Sequence, residues 1–230
     1  MTPPDQLIFC IGLNKTGTTS LLHSFLRLGI RTCDGLADRV ERELFPAVPN
    51  KAALVETHYA DYVAFEDVPW PALFRDLYHR YPQARFIHTT RNPEAWLKSV
   101  IAHFGALHDP VHAWIFGSAC PVGHDQQWLE VFERHNEAVQ EFFTAQPSAC
   151  YLHLKIDDGT PAEAVSSRLR SFLGYPECPS IWGQVNSLVQ RRSPKALAVS
   201  LARSLKYRLL GKRSIRLFGI TLTNAFTHLM

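Results

Sequence analysis

An α/β fold, a parallel sheet with helices on both of its faces, follows from three observations. Short strand-like runs alternate along the chain with segments of helical spacing, the pattern of strands joined by crossover helices. The first run, residues 7–11, is apolar throughout and closes on Gly12, as a strand buried on both faces does. The 230 residues are 46% hydrophobic and 20% charged, enough for one large domain with a full core.

The elements follow in order. After the strand at 7–11 comes a loop, then a helix over 18–28 with Leu21, Leu22, Phe25, Leu26 and Leu28 at helical spacing. Residues 31–50 are ambiguous, with a helix expected around 38–44 and closed by Pro46 and Pro49. Residues 61–65 read as a strand, and Pro69-Trp70-Pro71 opens a helix reaching about Arg80. A-R-F-I-H-T-T at 84–90 is a strand. Asn92-Pro93-Glu94 then combines a capping side chain, a first-turn proline and an acid, which starts a helix running to about His103. Residues 105–123, rich in His, Gly and Pro, read as irregular. Residues 126–143 form an amphipathic helix with Trp128, Val131, Phe132, His135, Val139 and Phe142 on one face. A strand at 151–156 and a helix at 162–173, ended by Gly174, complete the domain. There is no internal repeat.

Composition narrows the function classes. No apolar run reaches the roughly 18–20 residues of a membrane-spanning helix, and the N-terminus lacks the basic start and cleavage site of a signal peptide. A soluble, cytoplasmic protein is the expectation. Five cysteines, odd in number and without a C-x-x-C, are expected as free and mostly buried thiols. The net charge of +3 conceals an asymmetry: residues 190–230 hold nine basic residues and no acidic ones. That leaves 15 basic against 21 acidic residues in the rest, a net of −6. The chain is therefore divided into an α/β domain at 1–190 and a basic extension at 191–230. Leu197, Leu201, Leu205 and Leu209 recur every fourth residue of the extension, between Arg203, Lys206 and Arg208. Three roles stay open for it: a helix packed on the domain, an amphipathic helix on an anionic membrane surface, or arginines reaching an anionic ligand. Nucleic acid is not an expected partner, since the body is acidic and aromatic interleaving is absent. A homodimer is left open.

Two segments carry chemistry. In C-I-G-L-N-K-T-G-T-T-S-L (residues 10–21) a strand, a loop and a helix start follow one another. Gly12 and Gly17 let the backbone approach an anion. Lys15 adds a cation, Thr16, Thr18 and Thr19 add hydroxyls, and the open N–H groups of the first turn point the same way. Asn14 and Ser20 complete the set of candidate ligand-binding residues. The ATP-type loop has lysine directly after its second glycine; here Thr18 follows Gly17 and the lysine stands two residues before it. The second segment is T-T-R-N-P-E-A-W-L-K-S-V (residues 89–100). It puts Arg91 at the carboxyl end of a strand, the edge where open α/β sheets bind ligands, with Ser99 eight residues on.

These two segments, in this order, resemble the 3′-phosphoadenosine 5′-phosphosulfate (PAPS)-dependent sulfotransferase family, whose loop reads roughly K-x-G-T-T and whose second motif reads R-[ND]-P followed by a serine. The resemblance spans roughly residues 7–175 and also takes in Y-L-H-L-K-I-D-D-G at 151–159 and F-L-G at 172–174. It implies a three-layer sandwich of the P-loop NTPase-like type and PAPS as donor. The loop would hold the 5′-phosphosulfate, and Arg91 with Ser99 the 3′-phosphate. It implies no metal, and an acceptor that is a small molecule, a carbohydrate or a lipid. The general-base histidine of the cytosolic branch is replaced: F-E-D-V-P (residues 65–69) puts Asp67 at its position, closer to a bacterial-type branch. Asp67 is expected as base, as helix cap, or as both, with Glu66, Glu56 and His58 in reserve. His108 and His112 have i, i+4 spacing but no third ligand. The competing readings are a P-loop kinase or nucleotide hydrolase, against which the displaced lysine and the lack of a clear Walker-B acid argue, and a non-catalytic nucleotide-binding protein.

Overall fold

In the computed structural model the described residues are 6–36 and 39–183, so the basic extension and its expected helix lie outside them. Five strands form one parallel sheet: β1 (Ile8–Cys10), β2 (Thr32–Asp34), β3 (Ala64–Glu66), β4 (Arg85–Thr90) and β5 (Cys150–Lys155), in the order β2-β3-β1-β4-β5. The order reverses direction around β1. The carboxyl end of β1 therefore opens on the crevice where such sheets take ligands.

Alternation along the strands splits the core. Ile8 and Cys10 of β1, Ala64 of β3 and Ile87 of β4 face α1 (Thr18–Arg27) and α8 (Ala162–Leu173). Phe9, Ile11, Phe65 and Phe86 face the other side, where they meet α3 (Leu54–Thr57), α4 (Phe74–Arg80) and α7 (Asp125–Thr144). A third cluster binds Leu13 to α5 (Pro93–Phe104), α6 (Pro110–Phe116) and α7 through Trp96, Phe116, Trp128 and Phe132. Its rings stack closely, Phe116 on Trp128 at 3.9 Å and Trp96 on Phe132 at 4.1 Å between centroids. The fold is thus the helix-covered parallel sheet that the sequence predicts.

Several elements depart from expectation. The ambiguous stretch holds the edge strand β2 as well as α2 (Arg39–Leu44). The strand expected at 61–65 begins only at Ala64, because a turn closed by Tyr62 N–H on the Tyr59 carbonyl takes up the preceding residues. The helix expected from Pro69 splits into a 3-10 turn at Trp70–Leu73 and α4. The stretch read as irregular contains α6, started by Asp109, whose carboxylate accepts from the Val111 and His112 amides, and by Pro110. All five cysteines are free thiols; Cys10, Cys33 and Cys120 are buried, and Cys150 is exposed. Among the described residues no helix is long and apolar enough to cross a membrane.

Candidate active site

The β1–α1 loop is built to hold its shape around open amides. Ile11 N–H donates to the Ile87 carbonyl, continuing the β1–β4 ladder by one residue. Gly12 then passes so near β4 that a Cβ there would collide with the hydroxyl and the carbonyl of Thr89. Thr16, fully buried, turns its hydroxyl inward onto the Leu13 carbonyl (2.6 Å) and the Thr89 hydroxyl (2.8 Å). Asn14 is buried as well; its side-chain amide meets the His112 ring (3.1 Å), and its carbonyl accepts from the Trp96 indole N–H (2.8 Å). Lys15 and Gly17 adopt positive φ, 67° and 102°, the turn that lines up successive N–H groups toward an anion. The amides of Gly17, Thr18 and Thr19 and the hydroxyls of Thr18 and Thr19 have no hydrogen-bond partner among the described residues. Ser20 differs. Its amide donates to the Gly17 carbonyl and its hydroxyl to the Gly183 carbonyl (2.8 Å).

The residues singled out in this loop therefore divide by role. Gly17, Thr18 and Thr19 present donors; Asn14, Thr16 and Ser20 spend their side chains holding the loop and its neighbours. Sequence gives the residue types of such a loop but not which hydroxyls point inward.

Arg91 follows β4, and one guanidinium nitrogen donates to the Lys15 carbonyl (3.1 Å), so the two motifs meet across 76 residues of sequence. Its Nε is buried without a hydrogen-bond partner among the described residues, with Asp157 at 3.8 Å. Asp157 in turn accepts from the Asn92 amide with both oxygens (2.8 and 3.1 Å). Asn92 caps α5 through its side chain, as its sequence predicts. Ser99 lies half-buried on α5 and makes no hydrogen bond to Arg91.

A carboxylate cluster faces the loop from β2 and β3. Asp34 and Glu66 are in register at the ends of these parallel strands. Asp67 follows with φ 64°, which breaks the usual alternation of successive side chains. One carboxylate oxygen from each of the three lies within 4.8 Å of the others. Burial pushes the Glu66 carboxyl well above its ordinary range, and the Asp67 charge adds to this. Burial also raises Asp67, against the pull of the Val68 N–H and of the Arg42 and Lys15 charges. Its Oδ1 accepts from the Val68 amide (2.7 Å), and the following turn has no side-chain cap, so Asp67 is not a helix cap.

Glu66 also supplies what the sequence reading missed, an acid at the end of the strand beside β1. The run V-A-F-E at 63–66 was its signal. Of the three reserve bases Glu66 lies in this cluster, and the other two fall elsewhere. Glu56 pairs with Arg80 and accepts from the Tyr81 hydroxyl (2.8 Å), where α4 returns to the amino edge of the sheet, and His58 meets its neighbour Thr57 (2.7 Å). His108 is exposed in a loop whereas His112 is buried on α6, so their spacing does not make a pair. Arg42 closes the rim by its ion pair with Asp109 (2.5 Å). Burial works against the Asp109 charge, but Arg42 outweighs it and holds that carboxyl below its ordinary range.

Shikimate kinase from Bacteroides thetaiotaomicron is a solved structure similar to the chain, at 16% identity and a TM-score of 0.44, over 74% of this chain and 98% of that one. No curated protein matches. The family model described as "Sulfotransferase domain" matches residues 7–151, more than half of the chain and both motif segments. With that match over the very loops that meet at Arg91, the chain belongs to the sulfotransferase-domain family.

Proposed function

We propose that this protein transfers the sulfuryl group of PAPS to a hydroxyl or amine of a small-molecule, carbohydrate or lipid acceptor. The observation that carries this reading is the hydrogen bond from Arg91 to the Lys15 carbonyl beside the amides of Gly17, Thr18 and Thr19, which have no partner among the described residues. It gives two neighbouring anion sites, suited to the 5′-phosphosulfate and the 3′-phosphate of one nucleotide.

In this reading Asp67 takes the acceptor's proton as the acceptor oxygen or nitrogen attacks sulfur in line. The bond from sulfur to the 5′-phosphate oxygen breaks, and the bisphosphate leaves with the electron pair. Lys15 and the loop amides balance the charge gathering on that oxygen. Burial suits Asp67 to this role, since it raises a carboxylate that would otherwise be a weak base. Arg91 and Ser99 select the 3′-phosphate.

A second reading draws on the Asp34–Glu66–Asp67 cluster, which has the oxygen-rich make-up of a magnesium site and would suit a phosphoryl-transfer enzyme. One titration separates the two. Adenosine 3′,5′-bisphosphate is expected to bind without magnesium, with Lys15→Ala and Arg91→Ala each weakening it at least tenfold. Preference for magnesium–ATP over the bisphosphate would overturn the sulfuryl-transfer reading.

A further inference from the structure

α6 and α7 do not close completely over the carboxyl edge of the sheet. Between them, the Trp70–Leu73 turn and the end of β1 lies a cavity of about 270 Å³. Leu13, Ala72 and Ile115 give it apolar walls. Trp114 adds an aromatic side; its ring stands edge-on to Phe45 at 5.2 Å between centroids and stays 37% exposed. An apolar cavity of roughly 150 Å³ holds benzene, so this one has room for two fused rings.

Two of the walls belong to the segments that carry the reaction. Leu13 stands two residues before Lys15, and Ala72 five residues after Asp67. The charge on the rim is just as selective. Arg134 of α7 is exposed and makes no hydrogen bond or ion pair among the described residues; Glu130, one turn before it, accepts from Gln126 instead (3.0 Å). The neighbouring basic groups are engaged or neutral. Lys51, whose ammonium lies 5.2 Å from the Trp114 ring, donates to the Pro46 and Val48 carbonyls (3.1 and 2.7 Å). His135 donates to the Ile11 carbonyl (2.8 Å), and burial keeps its ring neutral, with a pKa lowered to about 4. Among the described residues Arg134 is therefore the one charge on the cavity wall. A guanidinium beside an aromatic-lined apolar space suits an apolar body that bears a carboxylate, which it can grip with two parallel hydrogen bonds.

We propose that this cavity seats the body of the acceptor, that the acceptor is an aromatic acid of about two rings, and that Arg134 holds its carboxylate. This rests on the sulfuryl-transfer reading above and names the class of molecule that receives the group.

The test uses the full chain and calorimetric titration. The probes are 2-naphthol and the 6- and 7-hydroxy isomers of 2-naphthoate, which share the rings and hydroxyl and differ in the carboxylate. Wild-type protein is expected to bind at least one hydroxynaphthoate ten or more times tighter than naphthol, and to form its sulfate ester from PAPS. Arg134→Gln, a change on the surface, should bring naphthoate and naphthol within about threefold of each other and leave adenosine 3′,5′-bisphosphate within about threefold of wild type. Ile115→Trp fills the cavity and should weaken both kinds of probe at least tenfold; if it also loses the bisphosphate, Arg134→Gln decides alone. Wild-type protein that binds the bisphosphate but takes neither naphthyl probe, or takes both equally, overturns this proposal alone. So does a preference that survives Arg134→Gln, or selective binding with no ester formed on either isomer. Wild-type protein that binds no bisphosphate overturns the donor reading, and this one with it.

Discussion

Asp67 stands in the left-handed region, which L residues enter at a cost of roughly 1–2 kcal/mol and which Asn and Asp tolerate best. That strain turns its carboxylate toward Glu66 instead of the opposite face of β3. Asp67→Asn keeps the backbone preference and the oxygen that accepts from Val68 N–H, and removes only the basic oxygen. Its kcat is expected to fall by about 10²–10⁴ without loss of thermal stability, since burial disfavours the charged carboxylate that the variant removes. The rise of wild-type kcat/KM with pH through the elevated Asp67 pKa should vanish in the variant, as a pH–rate profile would show. Asp67 was singled out only through the resemblance of F-E-D-V-P to the family's segment. Its left-handed backbone and the convergence with Asp34, 33 residues earlier, could not be read there, because both depend on the pairing of β2 with β3.

Among the elements, the block of α5, α6 and α7 supports the anion loop from below. Trp96 reaches from α5 to the Asn14 carbonyl, and His112 reaches from α6 to the Asn14 side chain. Phe116 is almost wholly buried and stacked on Trp128. Phe116→Ala is expected to cost about 3–5 kcal/mol in urea unfolding, and to weaken bisphosphate binding through the loosened Asn14. The start of α5 was legible because Asn92-Pro93-Glu94 states its cap locally. Asp109-Pro110 states the same signal for α6, yet the surrounding His, Gly and Pro residues masked it. The strand β2 is different: three residues are too few for any periodicity, and only its ladder with β3 defines it.

For the whole molecule, buried titratable groups set opposing dependences on pH. His88 is sealed between the Tyr151 hydroxyl (2.9 Å) and the Asn136 side chain (3.0 Å), and burial lowers its pKa to about 3. Burial likewise takes His135, donating to the Ile11 carbonyl, to about 4. Both stay neutral in the fold but gain a proton near pH 6.5 when unfolded. The unfolded chain therefore binds more protons, and stability falls as pH drops below about 6.5 toward 4. Glu66 has the opposite sign. Its raised pKa makes the folded chain hold the extra proton, so its contribution is full below its unfolded value of 4.5 and is lost as pH rises through the folded one. Urea midpoints across pH should show His88→Gln flattening the acid limb and Glu66→Gln flattening the loss on the alkaline side. The sheet class was legible from alternation of strands and helices alone. The buried histidines were not, since His88 sits in a run that spacing cannot assign to one face.

The bond between Arg91 and Lys15 also bears on the thermodynamics of capture. Thr16, Thr89 and Gly12 lock the same two turns together from beneath. A doubly charged ligand therefore meets a surface already in shape, and little of its attraction is spent on ordering the chain.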